Sequence, residues 1–203
     1  MSVRVKICGI TSLEDARCAV ELGASAVGFN FYSRSPRCIT AEAAKRIADE
    51  LPAGICRVGV FVNAERAEVA TIARTVGLTA LQFHGDESPA DCVQWDRKVI
   101  KAVRVRDANA SAAAAAYAVD FILADAYVES MFGGSGKRIE VPWLKGFAAE
   151  RLIVAGGLTA DNVAALVRDV RPFGVDVASG VEQAPGRKDP VLMRRFIENA
   201  HAA

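Results

Sequence analysis

Histidine is scarce in this chain: only His84 and His201 occur in 203 residues, neither at metal-ligand spacing from a cysteine or carboxylate, so no metal centre is expected. An excess of charge of one sign is also missing. The balance of 25 Lys and Arg against 24 Asp and Glu excludes a general polyanion-binding surface, and nucleic acid is not an expected partner. Any anionic ligand must be met by local groups. The five cysteines, Cys8, Cys18, Cys38, Cys56 and Cys92, are odd in number and lack zinc-type pairing, which points to reduced thiols rather than a disulfide scaffold. Long apolar runs are missing as well. The most membrane-like stretch, 110–128, is interrupted by Asp120 and Asp125, too costly for a lipid-facing span. Strand-like sequence begins within two residues of Met1, leaving no room for a cleavable leader, and a cytoplasmic location is expected.

What is present is a regular alternation of short β-rich runs with helical patterns, at about 25-residue spacing, the mark of repeated β-α units and a parallel sheet. Strands are predicted at 3–8, 26–31, 57–62, 80–84, 98–105, 121–125, 151–155 and 174–178. Helices are predicted at 13–22, 41–51, 65–76, 89–95, 108–117, 142–147, 160–170 and 190–200, the fourth to sixth being the weakest. Several starts carry plausible caps: Thr11 or Ser12, Thr40, Ser88 and Thr159. Eight units in so short a chain predict an α/β fold, a single (β/α)8 barrel over 1–203 with shortened helices. A doubly wound open sheet is the competitor, and the lack of Gly-x-Gly-x-x-Gly after the first strand counts against it.

The first strand is the most informative. Val3, Val5 and Ile7 share one face, and Arg4, Lys6 and Cys8 share the other. In a closed barrel the helix-covered outer face is apolar, so the polar face is the interior and Cys8 stands at the mouth beside a lysine. The same rule turns Gly28 and Asn30 inward, opposite Val27, Phe29 and Phe31, and turns Gln82 and His84 inward, opposite Leu81 and Phe83. In the third strand Val58, Val60 and Val62 are expected outside, with Gly59 and Phe61 inside. The fifth strand is ambiguous.

Glycine-rich turns follow the last three strands. Gly156-Gly157 and Ser179-Gly180 lie after the seventh and eighth, where barrels often bind phosphate through backbone N–H groups and a helix N-terminus. The run Gly133-Gly134-Ser135-Gly136-Lys137 lacks the leading glycine and the hydroxyl residue of a nucleotide P-loop, so it reads either as a cover closing over a ligand or as a plain surface loop. Asp125 ends the sixth strand on one face with Phe121 and Leu123; apolar surroundings favour a neutral carboxyl, the form a general acid needs, although a cap or loop role is equally open. Asp176 is a second inward carboxylate, for a ligand or for structure. Cys8 is either a small packed hydrophobe or a base whose thiolate Lys6 favours; at an ordinary thiol pKa about 3% is ionised at pH 7, a loss of about 30-fold at most. His84 orients a ligand or bonds within the barrel. Arg34 and Arg37 offer a fork for a carboxylate or phosphate.

These segments together resemble the phosphoribosylanthranilate isomerase family across essentially the whole chain. The resemblance rests on Val5-Lys6-Ile7-Cys8-Gly9-Ile10-Thr11, Ala26-Val27-Gly28-Phe29, Ser35-Pro36-Arg37, the Arg57 to Val62 strand, Gln82-Phe83-His84-Gly85, the Gly133 to Lys137 run, Ala155-Gly156-Gly157-Leu158, and the segment from Val175 to Glu182. It implies Cys8 as general base, Asp125 as general acid, Arg37 on the anthranilate carboxylate, Gly156, Gly157, Ser179 and Gly180 on the phosphate, and Gly133 to Gly136 as a lid. It further implies an Amadori rearrangement without cofactor on a small phosphoribosyl substrate, by a monomer or homodimer, in tryptophan biosynthesis. Phe83 and Ala124 depart mildly from the family pattern and touch only the fine shape of the pocket. Two alternatives are a histidine-pathway phosphoribosyl isomerase, which normally pairs two aspartates, and a non-catalytic barrel binding a phosphorylated metabolite.

Overall fold

Arg4 pairs with Gly174 and Lys6 with Asp176, so the first and last strands lie side by side and the sheet closes on itself. The computed structural model describes residues 3–126 and 139–203. Its eight parallel strands are β1 Arg4–Cys8, β2 Ala26–Asn30, β3 Cys56–Phe61, β4 Ala80–Phe83, β5 Lys98–Val105, β6 Phe121–Ala126, β7 Leu152–Val154 and β8 Gly174–Val177, paired in chain order. This is the expected barrel. A short antiparallel hairpin, β9 Glu182–Ala184 with β10 Arg187–Lys188, follows β8 and has no counterpart in the sequence reading.

The outer layer holds helices α1 Leu13–Glu21, α2 Ala41–Ala48, α3 Arg66–Val76, α4 Ala110–Ala114, α5 Val163–Val170 and α6 Pro190–His201. Ser12 and Thr40 cap α1 and α2 by accepting from Asp15 N and Ala43 N. Thr159 does not cap α5, whose N-cap position is Asn162. Asp189, ahead of Pro190, accepts from Val191 N and Leu192 N and starts α6. The predicted helix at 89–95 is not formed, and Ser88 instead bonds Asp91. Trp95 of this segment meets Phe83 at 5.7 Å, at the end of a row of rings in which Phe31 stacks on Phe61 at 5.3 Å and Phe61 meets Phe83 at 6.5 Å. The predicted helix at 142–147 is reduced to a 3-10 turn, Val141–Leu144. No helix among the described residues is long and apolar enough to cross a membrane.

Most of the buried apolar mass lies between strands and helices. Val5, Ile7, Val27 and Phe29 are fully buried there, as the alternation predicts. Truncating Phe29 to alanine would cost about 3–5 kcal/mol. Inside the barrel a smaller cluster joins Val58, Ala80, Ile100, Ala102, Leu123, Ile153 and Ala155. This settles the fifth strand, with Ile100 and Ala102 inward, and corrects the third. Val58, Val60 and Val62 point inward, while Phe61 belongs to the outer aromatic row and a side chain at Gly59 would collide with Leu78. Apolar residues occupy both faces of β3, so its alternation carries no polar phase from which to read direction.

Candidate active site

The barrel has a hollow at each end. The one where strands begin is roomier, about 360 Å³ against about 80 Å³, but is lined mainly by apolar groups such as Phe121, Phe173, Ile100 and Ile153. The C-terminal mouth holds the polar chemistry. Cys8 from β1, Asn30 from β2, Gln82 from β4, His84 just beyond it, Asp125 from β6 and Asp176 from β8 all face it.

Cys8 reaches the mouth because β1 is polar inward and because Gly28, its partner across the β1–β2 ladder, has no side chain: a Cβ there would lie 2.9 Å from the Cys8 sulfur and 3.0 Å from Lys6 Cε. Lys6 Nζ donates to Asp176 Oδ1 at 2.9 Å, and both side chains are buried. Burial opposes the charge on Lys6, but Asp176 and the Cys8 sulfur outweigh it and hold the ammonium protonated. The thiol does not become more acidic, as its lysine neighbour suggests. Burial pushes Cys8 above its ordinary 9.0; Lys6 pulls the other way, and the negative Asp176 adds to the rise. Near neutral pH the thiolate is therefore scarcer than an ordinary thiol would give.

The acid half is built differently. His84 Nε2 lies 3.0 Å from Asp125 Oδ2, and His84 Nδ1 lies 2.8 Å from Gln82 Nε2. With the amide N–H donating to Nδ1, the ring carries its proton on Nε2 and donates to Asp125. Gln82 Oε1 is buried with no partner among the described residues. His84 thus bonds within the barrel, one of the two roles open from sequence, and its ring also lines the mouth beside Asp125.

Gly156 and Gly157 have φ of +80° and +63°, conformations that favour glycine. A Cβ on Gly156 would lie 2.5 Å from Ala126 N and 2.8 Å from Asp125 Oδ1, so this turn packs directly on the end of β6. Asn162 pins the turn by donating to Gly157 O and accepting from Thr159 N. Gly180 abuts the same segment, since a Cβ would fall on Leu158 O. Ser179 opens a 3-10 turn, Ser179–Val181, while α5 begins only at Val163, beyond the Gly156-Gly157 turn.

Arg37 lines the mouth, whereas Arg34 is exposed and does not. The loop between them is held by Asn30, which accepts from Tyr32 N and donates to Ser35, while Ser35 accepts from Arg37 N. Glu182 takes Nε and Nη2 of Arg37 at 2.7 Å each, which leaves the Nη1 edge for a ligand. Apart from Arg34, every described site residue expected from sequence lies at this mouth, while Gly133, Gly134, Ser135 and Gly136 fall outside the described residues. Glu182 and Lys188 were not singled out; they act across 145 and 180 residues of sequence, where no local pattern shows the partnership.

Comparison with known proteins agrees with this geometry. The sequence profile described as N-(5'phosphoribosyl)anthranilate (PRA) isomerase matches residues 5–199. The N-(5'-phosphoribosyl)anthranilate isomerase of Citrifermentans bemidjiense is 52% identical over 200 residues, 97% of this chain and 96% of that protein. The crystal structure of phosphoribosyl anthranilate isomerase from Thermotoga maritima superposes with a TM-score of 0.90 at 43% identity, covering 99% of this chain and 100% of that one. A phosphoribosyl anthranilate isomerase in complex with reduced 1-(o-carboxyphenylamino)-1-deoxyribulose 5-phosphate gives 0.87 at 44% identity, with the same coverage. The chain belongs to the N-(5'phosphoribosyl)anthranilate isomerase family.

Proposed function

We propose that Asp125 and Cys8 act as acid and base on one sugar ring held in this mouth. The protein is an isomerase of tryptophan biosynthesis that converts N-(5'-phosphoribosyl)anthranilate to 1-(o-carboxyphenylamino)-1-deoxyribulose 5-phosphate. Asp125 gives a proton to the ribose ring oxygen as the bond to the anomeric carbon breaks, and the amine lone pair forms a protonated imine. Cys8 thiolate removes the proton from C2, and those electrons flow into the imine to give an enolamine, which tautomerises to the ketone. One proton is delivered and one is taken, so an acid and a base suffice.

The observation that carries this assignment is that Cys8 and Asp125, 117 positions apart in sequence, line the same mouth as the two glycine turns. Phosphate on Gly156, Gly157, Ser179 and Gly180, and the anthranilate carboxylate on Arg37, would fix both ends of the substrate, so remote binding orients the reacting carbon. Asp176 holds Lys6 beside the sulfur and faces the ligand, and the run Gly133 to Gly136 is the proposed cover. Cys8 stands where a histidine-pathway isomerase would carry its first aspartate, which favours the anthranilate substrate. Every residue named belongs to one chain, so the proposal holds for a monomer and a homodimer alike, and a cytoplasmic location is part of it.

Purified protein supplied with phosphoribosylanthranilate should quench its fluorescence, and Asp125→Asn should lower the rate by about 10²- to 10⁴-fold while still binding the reduced product analogue. Unchanged turnover in that variant would remove Asp125 from the mechanism. No turnover by the unaltered protein would remove the activity.

A further inference from the structure

The hairpin β9–β10 ends in an ammonium whose side chain is fully buried, an unusual place for a lysine. Lys188 Nζ donates to Cys8 O at 2.5 Å, Glu182 Oε1 at 2.9 Å and Ala178 O at 3.2 Å. An ammonium has three donors, and all are engaged. Two of the acceptors are the carbonyl of Cys8, the last residue of β1, and that of Ala178, the residue between β8 and Ser179. Neither Lys188 nor Glu182 lines the mouth, but Cys8, Ala178, Ser179 and Arg37 do.

Glu182 works in the other direction. Its two oxygens grip Nε and Nη2 of Arg37, and Oε1 also accepts from Lys188 and from Gly186 N. Burial opposes its ionisation, but hydrogen bonds from Arg37 and Lys188 outweigh this and keep the carboxylate below its usual range. The Arg37 chain lies flat on β1's exit: a Cβ at Gly9 would be 2.5 Å from Arg37 Cδ. The hairpin itself is clipped to the start of α1, where Thr11 Oγ1 donates to Gly186 O and Asp15 Oδ2 accepts from Lys188 N. A fully buried ammonium with two partly buried charges beside it is costlier than an apolar plug of the same volume, so sealing the barrel does not by itself account for them.

We propose that Glu182 and Lys188 are positioning residues of the reaction, Glu182 fixing the Arg37 guanidinium over the mouth and Lys188 fixing the carbonyl end of the strand that carries Cys8. This rests on the assignment of Cys8 and Arg37 made above. Neither residue touches substrate; each acts through a neighbour. The two effects separate kinetically, because Arg37 serves binding and Cys8 serves the proton transfer.

The first readout needs no substrate. In ¹⁵N-labelled protein the Arg37 Nε–H should exchange slowly with water and become fast in Glu182→Gln, with the fold retained. Kinetically, Glu182→Gln should raise KM about tenfold with kcat changed less than about threefold, and in an Arg37→Ala background it should add less than about twofold. Lys188→Met should lower kcat by about 10- to 100-fold with KM little changed. If that single change unfolds the barrel, the double variant Glu182→Gln with Lys188→Met removes both charges at similar volume, and it should show both defects while folded. An undiminished effect of Glu182→Gln in the Arg37→Ala background, unaltered Arg37 exchange, or a folded double variant with ordinary kcat and KM would each overturn the proposal. A lack of turnover by the unaltered protein would strike the reaction instead, while the exchange measurement would still decide whether Glu182 holds Arg37.

Discussion

Lys6 and Lys101 are both buried against a single carboxylate, one inside the barrel and the other on its outer wall. Lys101 is closed off: its ammonium bonds Glu87 Oε2, Gly85 O and Phe83 O and lies over the Tyr117 ring. Glu87 in turn accepts from Gly85 N and Asn63 N. This pair ties down the segment after β4 where a helix is missing. Lys6 is held to Asp176 by one hydrogen bond, sits against a thiol, and has a partner that faces the mouth. The same two functional groups serve structure where every lone pair is engaged and serve chemistry where one side is left open to a ligand.

The most severe way to sharpen this contrast is to remove the group that Lys6 serves. Cys8→Ala should cost about 10³-fold in kcat, measured by loss of substrate fluorescence, with unfolding free energy little changed. Next, Lys6→Met should lower kcat/KM at pH 7 by about 10- to 100-fold, because the thiolate loses its cation. The sign can be read from pH. A base is active when deprotonated and burial pushes the Cys8 thiol above its ordinary range, so kcat/KM of the unaltered protein should keep climbing from neutral into alkaline pH, and the Lys6→Met profile should lie further to the alkaline side. A pH-independent deficit would mean that Lys6 acts by packing alone.

Lys101→Met should leave kcat within about twofold yet destabilise the protein by about 3–5 kcal/mol in a denaturant titration, as expected when one partner of a buried pair is removed. A fall in kcat like that of Lys6→Met would erase the difference between the pairs. The smallest effect belongs to a pair at the surface. Arg17 and Glu50 bond at 2.8 Å with about half of each side chain exposed, and Glu50→Gln should shift stability by less than about 1 kcal/mol and leave turnover unaltered.

Sequence patterning was most legible where the two faces of a strand differ. β1, β2 and β4 alternate polar with apolar, and the inward placement of Cys8, Asn30, Gln82 and His84 follows directly. β3 is apolar on both faces, and its observed direction, with Val58 inside the barrel, is the reverse of the one its sequence suggests. The segment 89–95 looks helical but is held by long-range bonds, among them Arg66 to the Val93 and Gln94 carbonyls and its stacking over Trp95. Glycines after β7 signalled tight turns, and their positive φ bears this out at Gly156 and Gly157. The electrostatics of Cys8 could not be read locally, because its thiol is pushed up first by burial in the closed barrel and then by Asp176, which comes from β8.

The closure of β1 against β8 has a consequence for the protein while it is being made. On the ribosome, Lys6 emerges 170 residues ahead of Asp176, and Cys8 emerges 180 residues ahead of Lys188. A nascent chain therefore carries its thiol and Lys6 without the Asp176 and Lys188 contacts of the finished barrel, and the pocket is complete only when β8 and the hairpin β9–β10 dock on the first strand.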